Sequence, residues 1–282
     1  MAIVRLLFFC PDRPGIVASI AQTIFTLGGN IIQSDQHTTD PGGGDFLMRV
    51  EFDLSEPIDR AALAAGVDRL SHAFDMRVAV SFAAEKKRAA IFVSRLDHCL
   101  VELLWRWKAG DLPMTIPLVV SNHPDLKPVV DGFGIPFVVF PITPDTKREQ
   151  EEKMLRRLEG KADLIILARY MQILTGAFVA HYPARIINIH HSFLPAFVGG
   201  RPYEQAAQRG VKIIGATAHY VTENLDEGPI IEQDVARVSH RDGVPDLIRK
   251  GKDIEKAVLA RAVRWHLEDR VLVYRNRTVV FA

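Results

Sequence analysis

Between residues 89 and 189, short apolar runs recur at 89–94, 117–121, 137–140, 164–168 and 186–189, separated by helical patterns such as 100–108 and 145–158. A strand turns alternate side chains to opposite faces, so a run that is apolar throughout must be covered on both sides. Parallel neighbours need long crossovers, and helices supply both the crossover and the cover. These runs therefore predict a mostly parallel, Rossmann-like α/β sheet.

The first eighty residues follow another pattern. An apolar run at 3–9 is stopped by Asp12-Arg13-Pro14-Gly15, a helical pattern covers 16–27, and Gly28-Gly29-Asn30 ends it before a strand at 31–38. A loop rich in glycine, residues 40–45, leads to 46–53, where Phe46, Met48, Val50 and Phe52 alternate as on a strand with one covered face. A helix at 58–71 and a strand at 76–82 complete βαββαβ, the ferredoxin-like order. The charged stretch 83–88 then reads as a domain boundary or as a solvated loop. Taken as a boundary, it divides the chain into 1–83 and 84–282.

Two domains also suit 282 residues of which 48% are hydrophobic and 24% charged. Lys and Arg total 35 against 34 Asp and Glu, so no broad cationic field exists to hold nucleic acid. Cys10 and Cys99 are too far apart in sequence to suggest a zinc motif, and fit a reducing compartment. Residues 1–10 lack the pattern of an export signal, and no run nears the roughly 18 apolar residues of a membrane span. A cytoplasmic setting is expected.

Chemistry concentrates in two segments. In 186–195 a strand carries Asn188 and His190 two positions apart, hence on one face. Asn supplies uncharged N–H donors for an oxyanion, and the imidazole exchanges protons near neutrality. Segment 213–228 ends a strand near Val221 and brings Asp226, which could orient a water molecule beside an imidazole. Each residue also has a plain reading: Asn and His satisfying loop backbone, Asp226 forming a turn before Gly228, and His219 packing within its strand. The end of a parallel strand is where open α/β sheets bind ligands, which makes the group a site hypothesis.

Cys10-Pro11-Asp12-Arg13-Pro14-Gly15-Ile16-Val17 with Gly28-Gly29-Asn30-Ile31 resembles an ACT domain, a small regulatory module. The resemblance implies an amino-acid effector at Asp12, Gly15 and Asn30 and pairing into a homo-oligomer; the same glycines are equally accounted for by turn and cap geometry. Gly42 to Gly44 lack the strand and helix context of a dinucleotide loop and read as a hairpin connection.

Asn188-Ile189-His190-His191-Ser192-Phe193-Leu194-Pro195 and Leu225-Asp226-Glu227-Gly228-Pro229 resemble the folate-dependent formyltransferase-fold family. The resemblance implies a 10-formyl folate as small-molecule substrate and catalytic roles for Asn188, His190 and Asp226. Met171, Gln172, Ile173 and Leu174, within 167–174, are implied for the pterin pocket, with His219 and Val221 beside them. An ACT-like module ahead of this fold resembles the branch that hydrolyses the formyl group, which implies formate supply for purine synthesis and balance of one-carbon pools. The ribonucleotide-transferring branch has a glycine-rich phosphate loop, where this chain has Val93 to Leu100 without glycine, although Arg95 could meet a charged ligand. The tRNA-formylating branch has an added basic domain that is not seen here. A binding protein without catalysis is a further alternative, against which the intact Asn, His and Asp speak. No role is assigned to Arg201, and no step of the implied hydrolysis calls for a metal or other cofactor.

Overall fold

The computed structural model describes residues 2–40, 42–55, 58–196 and 202–282, which form two compact units. The first holds the residues up to Lys86 together with Glu268–Tyr274 and Val279–Ala282; the second holds Lys87–Leu267 and Arg275–Thr278. The sequence division placed everything after residue 83 in the second domain, whereas part of the carboxy-terminal segment belongs with the first.

The first unit runs β1 (Ala2–Pro11), α1 (Ile16–Thr26), β2 (Asn30–Thr38), β3 (Asp45–Leu54), α2 (Arg60–Phe74) and β4 (Arg77–Phe82). Its antiparallel sheet has the order β2-β3-β1-β4. Val4, Leu6, Phe8 and Cys10 alternate along β1 and pack with Ile16, Ile20 and Ile24, a single stripe on α1. β3 was expected to have one covered face, but Leu47 and Arg49 on its other face are also buried. The reason is the returning carboxy-terminal segment: Arg49 donates to the carbonyl oxygens of Glu268 and Asp269 at 3.1 and 3.0 Å.

Within one chain, Asp12 and Gly15 lie apart from Asn30. Asn30 is in register with Asp53, which faces Ile3, while Asp12 follows Pro11, which faces Asp45. The strand from Ile3 to Pro11 spans roughly 26 Å at about 3.3 Å per residue, so Asn30 and Asp12 lie at opposite ends of the sheet. α1 causes the separation, because it carries the chain from Gly15 at one end to Asn30 at the other. Gly15 itself is the left-handed residue before α1, at φ 93°, as the turn-geometry reading requires.

The second unit continues with β5 (Lys87–Val93), α3 (His98–Ala109), β6 (Met114–Thr115), β7 (Val119–Ser121), α4 (Lys127–Asp131), β8 (Phe137–Val139), α5 (Lys147–Leu158), β9 (Leu164–Leu167), α6 (Gly176–Ala180) and β10 (Ile186–His190). It ends with α7 (Pro202–Arg209), β11 (Ile213–Tyr220), β12 (Ile230–Arg237) and α8 (Val244–Leu267); β13 (Val271–Tyr274) and β14 (Arg277–Val280) close the chain. The sheet order is β12-β11-β10-β9-β5-β7-β8, with β6 beside β5. From β8 to β10 the pairs are parallel, and β11 and β12 add an antiparallel edge. Ala90, Ile91, Phe92, Leu164, Ile165 and Ile166 are inaccessible, as strands covered on both faces must be.

The chain leaves β5 toward β7 and β8, then returns to place β9 on the other side of β5. At such a reversal the connections diverge and leave a crevice beyond the carboxyl ends of the strands. No helix among the described residues is long and apolar enough to cross a membrane.

Candidate active site

A cleft of about 350 Å³ opens beyond the ends of β9 and β10. Met171, Gln172, Ile173 and Leu174 line one side, directly after β9, and Val221 and the residues through Asp226 line another. Ser94, at the end of β5, anchors the first side: Met171 N donates to Ser94 Oγ at 2.9 Å. Leu174 is buried, while Met171 and Ile173 are 56% and 58% exposed, leaving apolar surface for a flat ring to cover.

Asn188 and His190 project from β10 on one face, as their spacing requires. Asn188 stands opposite His219 of β11, and Asn188 Nδ2 lies 3.2 Å from His219 Nε2. His219 Nδ1 donates to the Tyr220 carbonyl oxygen at 3.0 Å, and in the tautomer that this bond selects Nε2 accepts from the amide. One Asn188 N–H is thereby used, and the other is left for the cleft. The sequence reading placed His219 beside the folate; the structure places it on the cleft wall and also against Asn188.

Asp226 arrives from the loop between β11 and β12 with φ 57°, a conformation rarely adopted outside glycine. The loop approaches Tyr220 so closely that a Cβ at Gly228 would collide with the Tyr220 carbonyl oxygen. Asp226 Oδ2 lies 3.2 Å from His190 Nδ1, and Oδ1 lies 3.7 Å from His219 Nε2. Burial works to raise the Asp226 pKa, but the hydrogen bond from the His190 imidazole works against it, and the carboxyl is held well below the usual carboxylate range. The ionised carboxylate orients the His190 ring through Nδ1. His190 Nε2 is buried without a hydrogen-bond partner among the described residues, so one nitrogen remains to meet a reacting group.

The segment after β10 is held from β11 and β12. Thr217 Oγ1 donates to the Ser192 carbonyl oxygen and accepts from Leu194 N, while Gln233 Nε2 donates to both Thr217 Oγ1 and the Leu194 carbonyl oxygen. His191, which the sequence reading passed over, lines the same cleft. Burial, then the positive Arg169, push its pKa down to about 4, so this ring is neutral near neutral pH. Arg169 is a second residue that sequence reasoning missed. The one signal for either was membership of a noted motif, since Glu255, which pairs with Arg169, lies far along the chain. Arg95 is exposed, and Arg201 lies outside the described residues.

The arrangement provides an uncharged oxyanion donor, an imidazole oriented by a carboxylate and a half-apolar wall within one cleft. The Formyl transferase family model matches residues 87–263, and the ACT domain model matches residues 4–65. The chain is 57% identical over 279 residues to a formyltetrahydrofolate deformylase of Synechocystis sp., covering 98% of each chain. Its structure resembles the crystal structure of a formyltetrahydrofolate deformylase from Pseudomonas syringae pv. tomato, with TM-score 0.96, 46% identity, and coverage of 100% of this chain and 95% of that one. A glycinamide ribonucleotide transformylase from Symbiobacterium toebii matches with TM-score 0.66 and 30% identity, covering 70% of this chain and 95% of that one.

Proposed function

The chain belongs to the formyltetrahydrofolate deformylase family, and on that premise we propose how its cleft divides the work of hydrolysis. The protein hydrolyses 10-formyltetrahydrofolate to formate and tetrahydrofolate. Asp226 and His190 hold the attacking water at the formyl carbon, and His190 takes its proton through the unpaired Nε2. The free N–H of Asn188 meets the oxyanion of the tetrahedral intermediate. Collapse breaks the bond to N10, which receives the proton as tetrahydrofolate leaves. Met171, Gln172, Ile173, Leu174 and Val221 take the pterin, and His219 serves chiefly to aim Asn188.

The observation that carries this reading is the convergence of Asn188, His190 and Asp226 in one cleft. Each step is assigned to side chains, with no resident metal or nucleotide. The ACT match supports a small amino acid as effector, and the separation of Asp12 and Gly15 from Asn30 favours a site completed by a second copy. Edge strand β2 exposes Ile31 and Ile32, and neighbouring α1 exposes Phe25, apolar surface that suits a homo-oligomer. The buried free thiols of Cys10 and Cys99 suit a reducing, cytoplasmic setting.

The test is incubation with 10-formyltetrahydrofolate and water alone. Formate release supports the hydrolase, whereas product formed only with added glycinamide ribonucleotide would support the transferase. Asn188→Ala should lower single-turnover formate release by about 10²- to 10³-fold, the effect of removing one oxyanion donor. Normal release by that variant would remove Asn188 from the mechanism.

A further inference from the structure

Arg169 follows β9 at the crevice between β9 and β5, and it lines the cleft with His190 and His191. Its backbone has φ 62°, where glycine would rest without strain, yet the residue carries a long charged side chain. Only 8% of Arg169 is exposed. Its Nε lies 3.4 Å from Glu255 Oε2 but is not aligned for a hydrogen bond, and among the described residues the guanidinium donates none.

Glu255, on α8, is itself almost inaccessible and already occupied: it accepts from Tyr203 Oη at 2.7 Å and pairs with His98 Nε2 at 2.8 Å. Its charge compensates Arg169, while the N–H groups of the guanidinium remain unused among the described residues. His98, Cys99 and Glu255 lie close enough to suggest a metal site. Against that, burial and then Glu255 push the Cys99 thiol well above its usual range, and the guanidinium already supplies the positive charge. The cluster is better read as a seat for Arg169.

A buried cation with unused donors calls for an anion. Hydrolysis makes one here: water adds to the neutral formyl carbon, the bond to N10 breaks with its electron pair and a proton going to nitrogen, and the one-carbon acid loses its proton to leave formate. Transfer to an amine would leave a neutral formamide. We propose that Arg169 is the product-side anion site, binding formate as its charge appears, and that Glu255 is its positioning residue. This deepens the hydrolase reading and rests on it.

The test is titration of the full-length protein, with tetrahydrofolate present, by ¹³C-labelled formate followed by NMR, beside steady-state kinetics. Saturable formate binding is expected in the unaltered protein. Arg169→Gly, which the backbone accommodates, should weaken it by about ten- to a hundredfold, the worth of a hydrogen-bonded charge pair. Arg169→Lys should retain part of the binding. Glu255→Gln should also weaken it, which keeps the test open if Arg169→Gly does not fold. Formate binding unchanged in Arg169→Gly would overturn the proposal. So would a raised KM for the folate with formate binding intact, since the guanidinium would then serve the substrate's own carboxylates. A protein that releases formate from the substrate yet shows no saturable formate binding would overturn this site and leave the hydrolase reading standing. Saturable, Arg169-dependent binding in a protein that releases no formate would support the anion site while ending that reading.

Discussion

Asn188 and His219 face one another across β10 and β11, and each determines how the other is used. The ring's bond to the Tyr220 carbonyl makes Nε2 an acceptor, which turns the Asn188 amide so that N–H, not oxygen, meets it. His219→Ala should therefore lower kcat by about three- to tenfold, the value of one ordinary hydrogen bond, with little change in KM. A change confined to KM would return His219 to substrate binding alone. His191 makes a prediction about pH. Unfolded, it binds a proton near 6.5; folded, burial and Arg169 hold it near 4. Between those values the unfolded chain binds more protons, so stability rises with pH across that window and is lost on acidification toward 4. His191→Asn should flatten this slope, as compared by urea unfolding at about pH 7 and about pH 5. Asn188 and His190 were legible in sequence as a pair sharing one strand face, while Asp226 and the three roles came from the resemblance of their segments to a known family. Arg169 was not legible, because an arginine in a motif does not announce a left-handed backbone or a buried carboxylate from α8.

The elements deliver these side chains only where the backbone can come close. Gly228 lets the loop between β11 and β12 pass against the Tyr220 carbonyl, which also receives His219 Nδ1–H. In Gly228→Ala either the loop or that carbonyl must move. Activity should fall well beyond any loss of stability, because Asp226 and His219 are displaced together; a fully active, stable variant would show that the loop position is not critical. Gly251 does the same for α8. A Cβ there would meet the Tyr203 hydroxyl on its way to Glu255. Gly251→Ala gains about 1 kcal/mol of helix propensity but overpacks by about 1–3 kcal/mol, so net destabilisation is expected in chemical unfolding. A stabilised variant would mean that Tyr203 moves aside at little cost. Strand and helix order was readable from periodicity, whereas these close approaches were not, since a glycine in sequence does not say what it makes room for.

At the scale of the whole molecule, the chain's last residues complete a unit begun by its first. Arg49 sits on the second face of β3, 1% exposed, and donates to Glu51 and to the carbonyls of Glu268 and Asp269. Arg49→Met would leave those acceptors without their donor and should cost about 1–3 kcal/mol in urea unfolding. No measurable loss would mean that the segment is held by its other contacts, such as Ser81 Oγ to Asp269 and the Phe9 and Tyr274 rings.

Local pattern alone determined that this chain holds a βαββαβ unit and a mostly parallel α/β sheet, and that Asn188 and His190 share a face, because strand and helix periods are properties of adjacent residues. Tertiary structure decided which distant residues meet: Arg169 with Glu255, Arg49 with Glu268 and Asp269, and the parting of Asp12 from Asn30. The physical reason is that periodicity assigns a side chain to a face, but burial and unspent hydrogen bonds depend on what the rest of the chain brings to that face.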